Sequence, residues 1–316
     1  MTDLRTSLGD LDLARLISGL ECGSAAAAQK LDRLWVGRPR AAVVGISGPP
    51  GVGKSVLTGR LLQAASAAGH RAAVLLVDPS SPFSGGAVLG DRMRLQAIGV
   101  PSDTFVRSLA ARGALGGLSA VVPASIRALE AGGYDLVLVE TVGVGQNETD
   151  IISVADTVLV IQSPGAGDEA QGLKAGVLEI ADIFVLNKAE MPGAEQARAV
   201  LRDVARRPRR DGWASRIIST TALSGAGVDE LWRAIEEHLA WLAETGLVAD
   251  RHAARLEAEL IAASYATMKK RLANLALVER FRDGSITLRD ALAVLFGEGK
   301  SDPISKVNGT TQEKRP

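Results

Sequence analysis

The chain has 316 residues, 47% hydrophobic and 23% charged, enough for one large α/β domain with appendages or for two small domains, which excludes a disordered bulk. Thirty-six basic residues balance thirty-six acidic ones and aromatics make up only 3%, so no nucleic-acid stripe and no anionic membrane surface is expected. One cysteine, Cys22, and three histidines leave neither a disulfide framework nor a His/Cys metal cluster.

The opening "MTDLRTSLGD" carries acids and no long apolar core, and no apolar run reaches the roughly 18–20 residues that cross a bilayer. A protein of the cytoplasm, with no membrane segment, is the expectation. Leu13, Leu16, Ile17 and Leu20 then fall at i, i+3, i+4 and i+7, which predicts an amphipathic N-terminal helix within a helical segment 1–40.

From there short β-branched runs recur: 41–46, 72–77, 103–108, 135–140, 157–162, 182–187 and 216–221. Their hydrophobicity is continuous rather than alternating, as strands buried on both faces require. Alternation with helix-sized segments predicts an α/β domain over 41–240, a mostly parallel, doubly wound sheet flanked by helices.

"GISGPPGVGKSV" (45–56) links the first run to a helical pattern and satisfies GxxxxGK[ST], the P-loop signature. Its glycines let backbone N–H groups wrap phosphate oxygens, and the helix N-terminus adds positive potential. The predicted cradle is Gly48, Pro49, Pro50, Gly51, Val52, Gly53, Lys54, Ser55 and Val56; Lys54 would reach the β- and γ-phosphates and Ser55 would ligate Mg²⁺. After the second run, "VDPSSPFSGGAVLGDRMR" (77–94) is rich in Ser, Pro and Gly, and Asp78 and Asp91 are candidate metal-sphere carboxylates or else turn caps. The fourth run ends in "VETVGVGQ" (139–146), where Glu140 and Gly143 occupy the places of the metal-coupled carboxylate and the γ-phosphate-sensing glycine. Val144 follows Gly143 and Gln146 is displaced by two positions from where a water-orienting Gln often stands, so feeble intrinsic hydrolysis is expected. Lys54, Asp91, Glu140 and Gly143 form the candidate catalytic set.

"GDEAQGLK" (167–174) reads from its residues only as a glycine-punctuated loop running into a helix. The sixth run closes on "NKAE": Asn187 to hold the loop and read a ring edge, the Lys188 stem to cover the ring face, Glu190 to accept from guanine N1–H and its exocyclic amine. An Asp is usual where Glu190 stands. "TTALSGAGVDEL" (220–231) follows the seventh run, with Thr221, Ala222 and Leu223 in the loop whose backbone reads the guanine carbonyl. Four such motifs in order, each on a strand end, point to a guanine nucleotide. Between them "RRPRRDGW" (206–213) is expected to be a solvated basic face. Beyond the sheet, helices are predicted through residue 297, with an apolar stripe of Leu256, Leu260, Ala263, Tyr265, Met268, Leu272 and Leu275. Either this helix packs back on its own domain or it is an arm, 241–297, that meets a second subunit; the polar tail 298–316 is expected to be disordered.

On "GPPGVGKS", "LLVDPSSPFSGGAVLGDRMR", "VETVGVGQNE" and "SPGAGDEAQGLKAGVLEIADIFVLNKAE" the chain resembles the MeaB/ArgK/MMAA family of GTPases, chaperones of adenosylcobalamin-dependent acyl-CoA mutases. The resemblance implies a slow, partner-stimulated GTPase using GTP/GDP and Mg²⁺, homodimeric through its C-terminal helical arm, that gates cofactor loading and protects or reactivates its mutase. Methylmalonyl-CoA mutase or a relative such as 2-hydroxyisobutyryl-CoA mutase would be the client, an adenosyltransferase a second partner. No cobalamin is expected to bind this chain directly. It further implies that Ser55, Asp78, Asp91 and Glu140 are metal and switch residues, and that Asp168, Gln171 and Lys174 form a further mobile switch coupled to the partner. Competing readings are a P-loop small-molecule kinase, which would have no need of "NKAE" and "TTAL", and a nickel-insertion GTPase, which would carry a His- or Cys-rich site.

Overall fold

The computed structural model describes residues 8–34, 41–79, 99–111, 121–141, 150–165, 179–207, 209 and 211–297. Seven strands form one parallel sheet: β1 (Ala42–Ser47), β2 (Ala72–Pro79), β3 (Phe105–Ala111), β4 (Leu136–Thr141), β5 (Thr157–Gln162), β6 (Ile183–Asn187) and β7 (Arg216–Thr220), in the order β3-β2-β4-β1-β5-β6-β7. Each predicted run is a strand, and the pairing is parallel throughout. Successive residues along a strand enter opposite cores, as the pleat demands. Val43, Leu75, Val137, Val139, Val158 and Val160 face one hydrophobic layer, and Val44, Val74, Leu76, Leu138, Leu159 and Ile161 the other.

The first layer is covered by α1 (Asp10–Glu21), α2 (Ala25–Leu34), α4 (Val122–Ala131) and α5 (Ala194–Ala205), the second by α3 (Lys54–Ala67) and α6 (Val228–Thr245). Leu13, Leu16 and Ile17 of α1 are buried as their spacing predicts, and Leu20 packs partly against the same core. Asp10 and Asp12 in the first turn of α1 suit the positive end of its dipole. Because all strands run one way, the ends of β1, β4, β6 and β7 (Ser47, Thr141, Asn187 and Thr220) share one edge, with Ile46 opposite Glu140 and Asn187 opposite Thr220. In open parallel sheets that edge is where ligands bind.

The opposite edge is held by buried charge. Asp156 and Asp182 stand immediately before β5 and β6, and each spans to a neighbouring strand: Asp156 Oδ2 accepts from Val43 N at 2.7 Å and Asp182 Oδ2 from Val158 N at 2.7 Å. The first half of α7 (Val248–Asn274) docks on these carboxylates through residues four apart, hence on one helix face. Arg251 reaches Asp182 (3.3 Å), Arg255 donates to Asp156 (2.7 Å) and to the Val154 carbonyl (2.8 Å), and Glu259 pairs with Arg127 (2.8 Å).

In the basic segment 206–213, Arg206 and Arg207 are exposed, as a solvated face requires, and Arg209 departs from it. Arg209 turns inward to Asp182 and the Ala181 carbonyl, both at 2.7 Å, and Trp213 Nε1 donates to the Asp182 carbonyl at 2.9 Å. Next to it His238 is fully buried, within hydrogen-bond distance of Thr157 Oγ1 (2.8 Å) and packed on Trp213 and Trp241. Burial raises the Asp182 carboxyl to about 6, with Arg251 and Arg209 opposing. Burial first, then the same two arginines, lower His238 to about 3.

The described residues divide into two compact units within α7, between Glu259 and Leu260. The second contains the rest of α7, α8 (Leu277–Arg282) and α9 (Leu288–Phe296), with α8 packed on α9 and the hydroxyl of Thr287 accepting from Asp290 N as the cap of α9. Of the predicted apolar stripe, Leu260, Ala263 and Leu275 are exposed and the remaining members half-buried. Among the described residues, no helix is long and apolar enough to cross a membrane.

Candidate nucleotide site

The phosphate loop leaves β1 at Ser47 and enters α3 at Lys54. Gly48, Gly51 and Gly53 all have positive φ (144°, 80° and 96°), a bend that only glycine makes without strain. Gly48 has a second reason: a Cβ there would lie 2.3 Å from the Ile161 carbonyl oxygen of β5. The N-cap of α3 is Gly53, which has no side chain with which to cap the first turn, so its N–H groups are open to an anion. Lys54 is 7% exposed, and its Nζ donates to the Gly48 (2.7 Å) and Pro49 (2.9 Å) carbonyls, which holds the ammonium across the loop. Val52 is buried and Val56 partly so against the second core.

Beneath the loop lies the carboxylate of β4. Glu140 is buried, with one oxygen accepting from Ser55 Oγ at 2.8 Å and the other from Thr58 Oγ1 at 2.7 Å. Ser55 and Thr58 are three apart on α3 and so share a face. Thr58 escaped the sequence reading because it belongs to no motif. Its only signal is a hydroxyl one helical turn after Ser55.

At the base-reading corner, Asn187 Nδ2 donates to the Val52 carbonyl (2.8 Å), while its Oδ1 accepts from Thr220 Oγ1 (3.1 Å) and Ala222 N (3.0 Å). One amide thus ties the phosphate loop, the end of β6 and the loop after β7. Gly53 must lack a Cβ here too, since one would fall 2.5 Å from Asn187 Nδ2. Lys188 takes a left-handed φ of 57° and donates to the Gly51 carbonyl at 2.8 Å. Glu190 is exposed, and Thr221 Oγ1 donates to its Oε2 at 2.6 Å, a bond that holds the carboxyl below its usual range. Leu223 is exposed, but its carbonyl and that of Ala222 accept from Arg60 of α3, at 2.7 and 3.1 Å. Arg60 is another residue the sequence reading missed.

These bonds bring together Gly48–Val56, Glu140, Asn187–Glu190 and Thr221–Leu223. Asp91, Gly143, Val144, Gln146, Asp168, Gln171 and Lys174 lie outside the described residues, and only the backbone of Asp78, in β2, is described. Chemically the arrangement offers an anion cradle, a hydroxyl–carboxylate pair for a hard cation, and a corner with amide, ammonium and carboxylate groups for a polar ring.

The family model described as "Methylmalonyl Co-A mutase-associated GTPase MeaB" matches residues 13–276. A Pyrococcus horikoshii protein, provisionally named a GTPase, is 43% identical over 252 residues, 78% of this chain and 80% of that one. The mouse protein named "Methylmalonic aciduria type A homolog, mitochondrial" is 37% identical over 206 residues, 64% of this chain and 50% of its own. A solved structure described as a LAO/AO transport system kinase superposes with a TM-score of 0.62 over 92% of this chain and 98% of that chain; at 24% identity it shows a shared fold alone.

Proposed function

Because the chain belongs to the MeaB family of methylmalonyl-CoA mutase-associated GTPases, we propose that it binds and slowly hydrolyses GTP as the chaperone of an adenosylcobalamin-dependent acyl-CoA mutase. In this role it gates cofactor loading and protects or reactivates the enzyme, with methylmalonyl-CoA mutase or a related mutase as client. One observation carries the nucleotide reading. Asn187 and Lys188 are bonded to Val52 and Gly51 of the phosphate loop, and Asn187 to the loop after β7, so base and phosphates belong to one ligand.

Ser55 and Glu140 fit Mg²⁺: their side-chain oxygens are 2.8 Å apart, and hard oxygen donors are what this cation takes. Mg²⁺ keeps several waters and is bound through one or two carboxylates together with substrate phosphates, so one hydroxyl–carboxylate pair is a sufficient protein contribution. Ser55 and Glu140 would hold it, with Asp78 and Asp91 as further candidates. Held there, Mg²⁺ would neutralise negative charge developing on the phosphate oxygens. Lys54, held across the loop by the Gly48 and Pro49 carbonyls, would add a second positive charge, and the first turn of α3 supplies donors that need no reorganisation. With Val144 where a water-orienting Gln often stands, the isolated chain turns over slowly, and the segment 167–174 couples turnover to the client through Asp168, Gln171 and Lys174.

The segment 241–297 is the dimer arm of this reading. Exposed Ile261, Val278, Phe281, Leu288 and Phe296 in the C-terminal unit support it. Truncation after Glu259 followed by light scattering tests the part of the arm from Leu260 on, and an unchanged dimer refutes its role in the dimer.

The function is tested by phosphate release from GTP and from ATP, each with and without a purified adenosylcobalamin-dependent mutase. Slow GTP turnover that rises with the mutase, with ATP inert, is expected. Equal turnover of both nucleotides, unaffected by the mutase, overturns the base assignment and the partner together, and phosphate transfer to arginine or ornithine replaces the reading with a kinase.

A further inference from the structure

We propose that Arg60 of α3 is a positioning residue for guanine: its guanidinium grips the loop after β7, and without that grip the nucleotide is released faster. The inference rests on the guanine nucleotide proposed above and adds to it a residue that belongs to no motif. A backbone N–H that reads a base carbonyl has to stay in one place. The loop after β7 is poorly placed to hold itself, since Ala222 is buried but Leu223 is 76% exposed and Ser224 and Ala226 are exposed too. Solvated backbone of that kind opens locally at little cost unless something ties it down.

Arg60 supplies the tie. Its Nε donates to the Ala222 carbonyl at 3.1 Å and its Nη2 to the Leu223 carbonyl at 2.7 Å, so one planar fork grips two successive carbonyls. A trans peptide is planar, and holding the Ala222 carbonyl therefore also sets the direction of the Leu223 N–H at the other side of the same unit. Ala222 is thus held at both of its backbone groups, its N–H by Asn187 Oδ1 at 3.0 Å and its carbonyl by Arg60. The guanidinium is itself held from behind. Its Nη1 donates to Gln63 Oε1 at 3.2 Å, one turn further along α3, and Gln63 Nε2 donates to the Gly99 carbonyl at 3.0 Å. Because α3 begins at Lys54 in the phosphate cradle, Arg60 lies only roughly 9 Å along the same rigid helix. One helix then fixes both the phosphate cradle and the base-reading loop.

Stopped-flow release of ribose-labelled fluorescent GDP from the full chain, with Mg²⁺ present, tests the grip. Calorimetric titration with GDP, IDP, ADP and inorganic pyrophosphate tests its specificity. Arg60→Met is expected to release GDP about tenfold faster, modest for two hydrogen bonds from a charged donor because they lie near the surface. GDP and IDP share the C6 carbonyl and lose affinity alike. ADP, which lacks that carbonyl, and pyrophosphate, which fills the phosphate cradle alone, are unchanged. Arg60→Lys keeps the charge but not the fork, and is expected to release GDP nearly as fast as the methionine variant. Gln63→Leu frees the guanidinium from behind; it speeds release about two- to threefold in the wild type and not at all in Arg60→Met, the non-additivity of residues acting through one group. Wild-type release from Arg60→Met overturns the inference, as does wild-type release from Arg60→Lys. So does an equal loss of pyrophosphate affinity, which marks a general defect of α3, or additive effects of the two substitutions. A wild type that binds ADP as well as GDP refutes the guanine reading itself, and the role of Arg60 with it.

Discussion

Replacing Thr58 by Val removes one hydroxyl from beneath the phosphate loop and little else. Thr58 is fully buried on α3, its Oγ1 2.7 Å from Glu140 Oε2, while Ser55 holds the other carboxylate oxygen at 2.8 Å. Valine fills nearly the same volume, so no cavity opens. The loss is one hydrogen bond to a buried carboxyl group, about 1–3 kcal/mol. At about 2 kcal/mol the melting temperature of a chain of this size falls by roughly 3–4 °C. The carboxylate also loses the donor that sets its plane against Ser55, so Mg²⁺-dependent GDP affinity falls while metal-free GDP binding is little changed. Urea unfolding followed by tryptophan fluorescence gives the first quantity, and calorimetry with and without Mg²⁺ the second. Thr58→Ser retains the hydroxyl, loses one buried methyl and should cost about 1 kcal/mol. A Thr58→Val protein with wild-type stability and metal dependence, or a serine variant as impaired as the valine one, refutes the reasoning.

Gly48→Ala drives a Cβ to 2.3 Å from a backbone oxygen and should abolish nucleotide binding. Gly51→Ala meets nothing within 4 Å and carries only the left-handed strain, about 1–2 kcal/mol; equal damage in a GDP-binding assay contradicts this. Arg255→Met leaves the buried Asp156 without its closest cation and should cost about 3–5 kcal/mol in urea unfolding, partly recovered by adding Asp156→Asn; a loss under 1 kcal/mol shows the Arg255–Asp156 pair to be dispensable. His238 has a folded pKa of about 3 against 6.5, so the fold binds fewer protons there and this contribution to stability is lost as pH falls from 6.5 toward 3. Asp182, at about 6 against 3.8, works oppositely, and stability declines as pH rises from about 4 to 6. The stability difference between wild type and His238→Asn should therefore grow with pH between 3 and 6.5; a constant difference refutes the assignment.

Much of the site was legible because its chemistry is written in contiguous stretches. A glycine loop between a strand and a helix, "NKAE" on one strand end and "TTAL" on another need only local rules, since a parallel sheet carries its strand ends to one edge. The seven strands were legible for the same reason: residues buried on both faces leave runs without alternation, as at 72–77 and 157–162. Arg209, Arg251 and Arg255 were not, because a basic residue in a loop or on a helix reads as solvated until its carboxylate is found.

The sequence by itself determined the buried strands, the stretches that form the candidate phosphate and base loops, and the family to which the chain belongs. Periodicity fixes a residue's environment and leaves its partner open. The tertiary structure alone decided that Thr58 meets Glu140 across 82 residues of sequence, that Arg255 meets Asp156 across 99, and that Asn187 reaches Val52 across 135. It also decided that Glu190 stands within reach of Thr221. Such pairings follow from strand order and register, set by packing over the whole sheet and written in no single stretch.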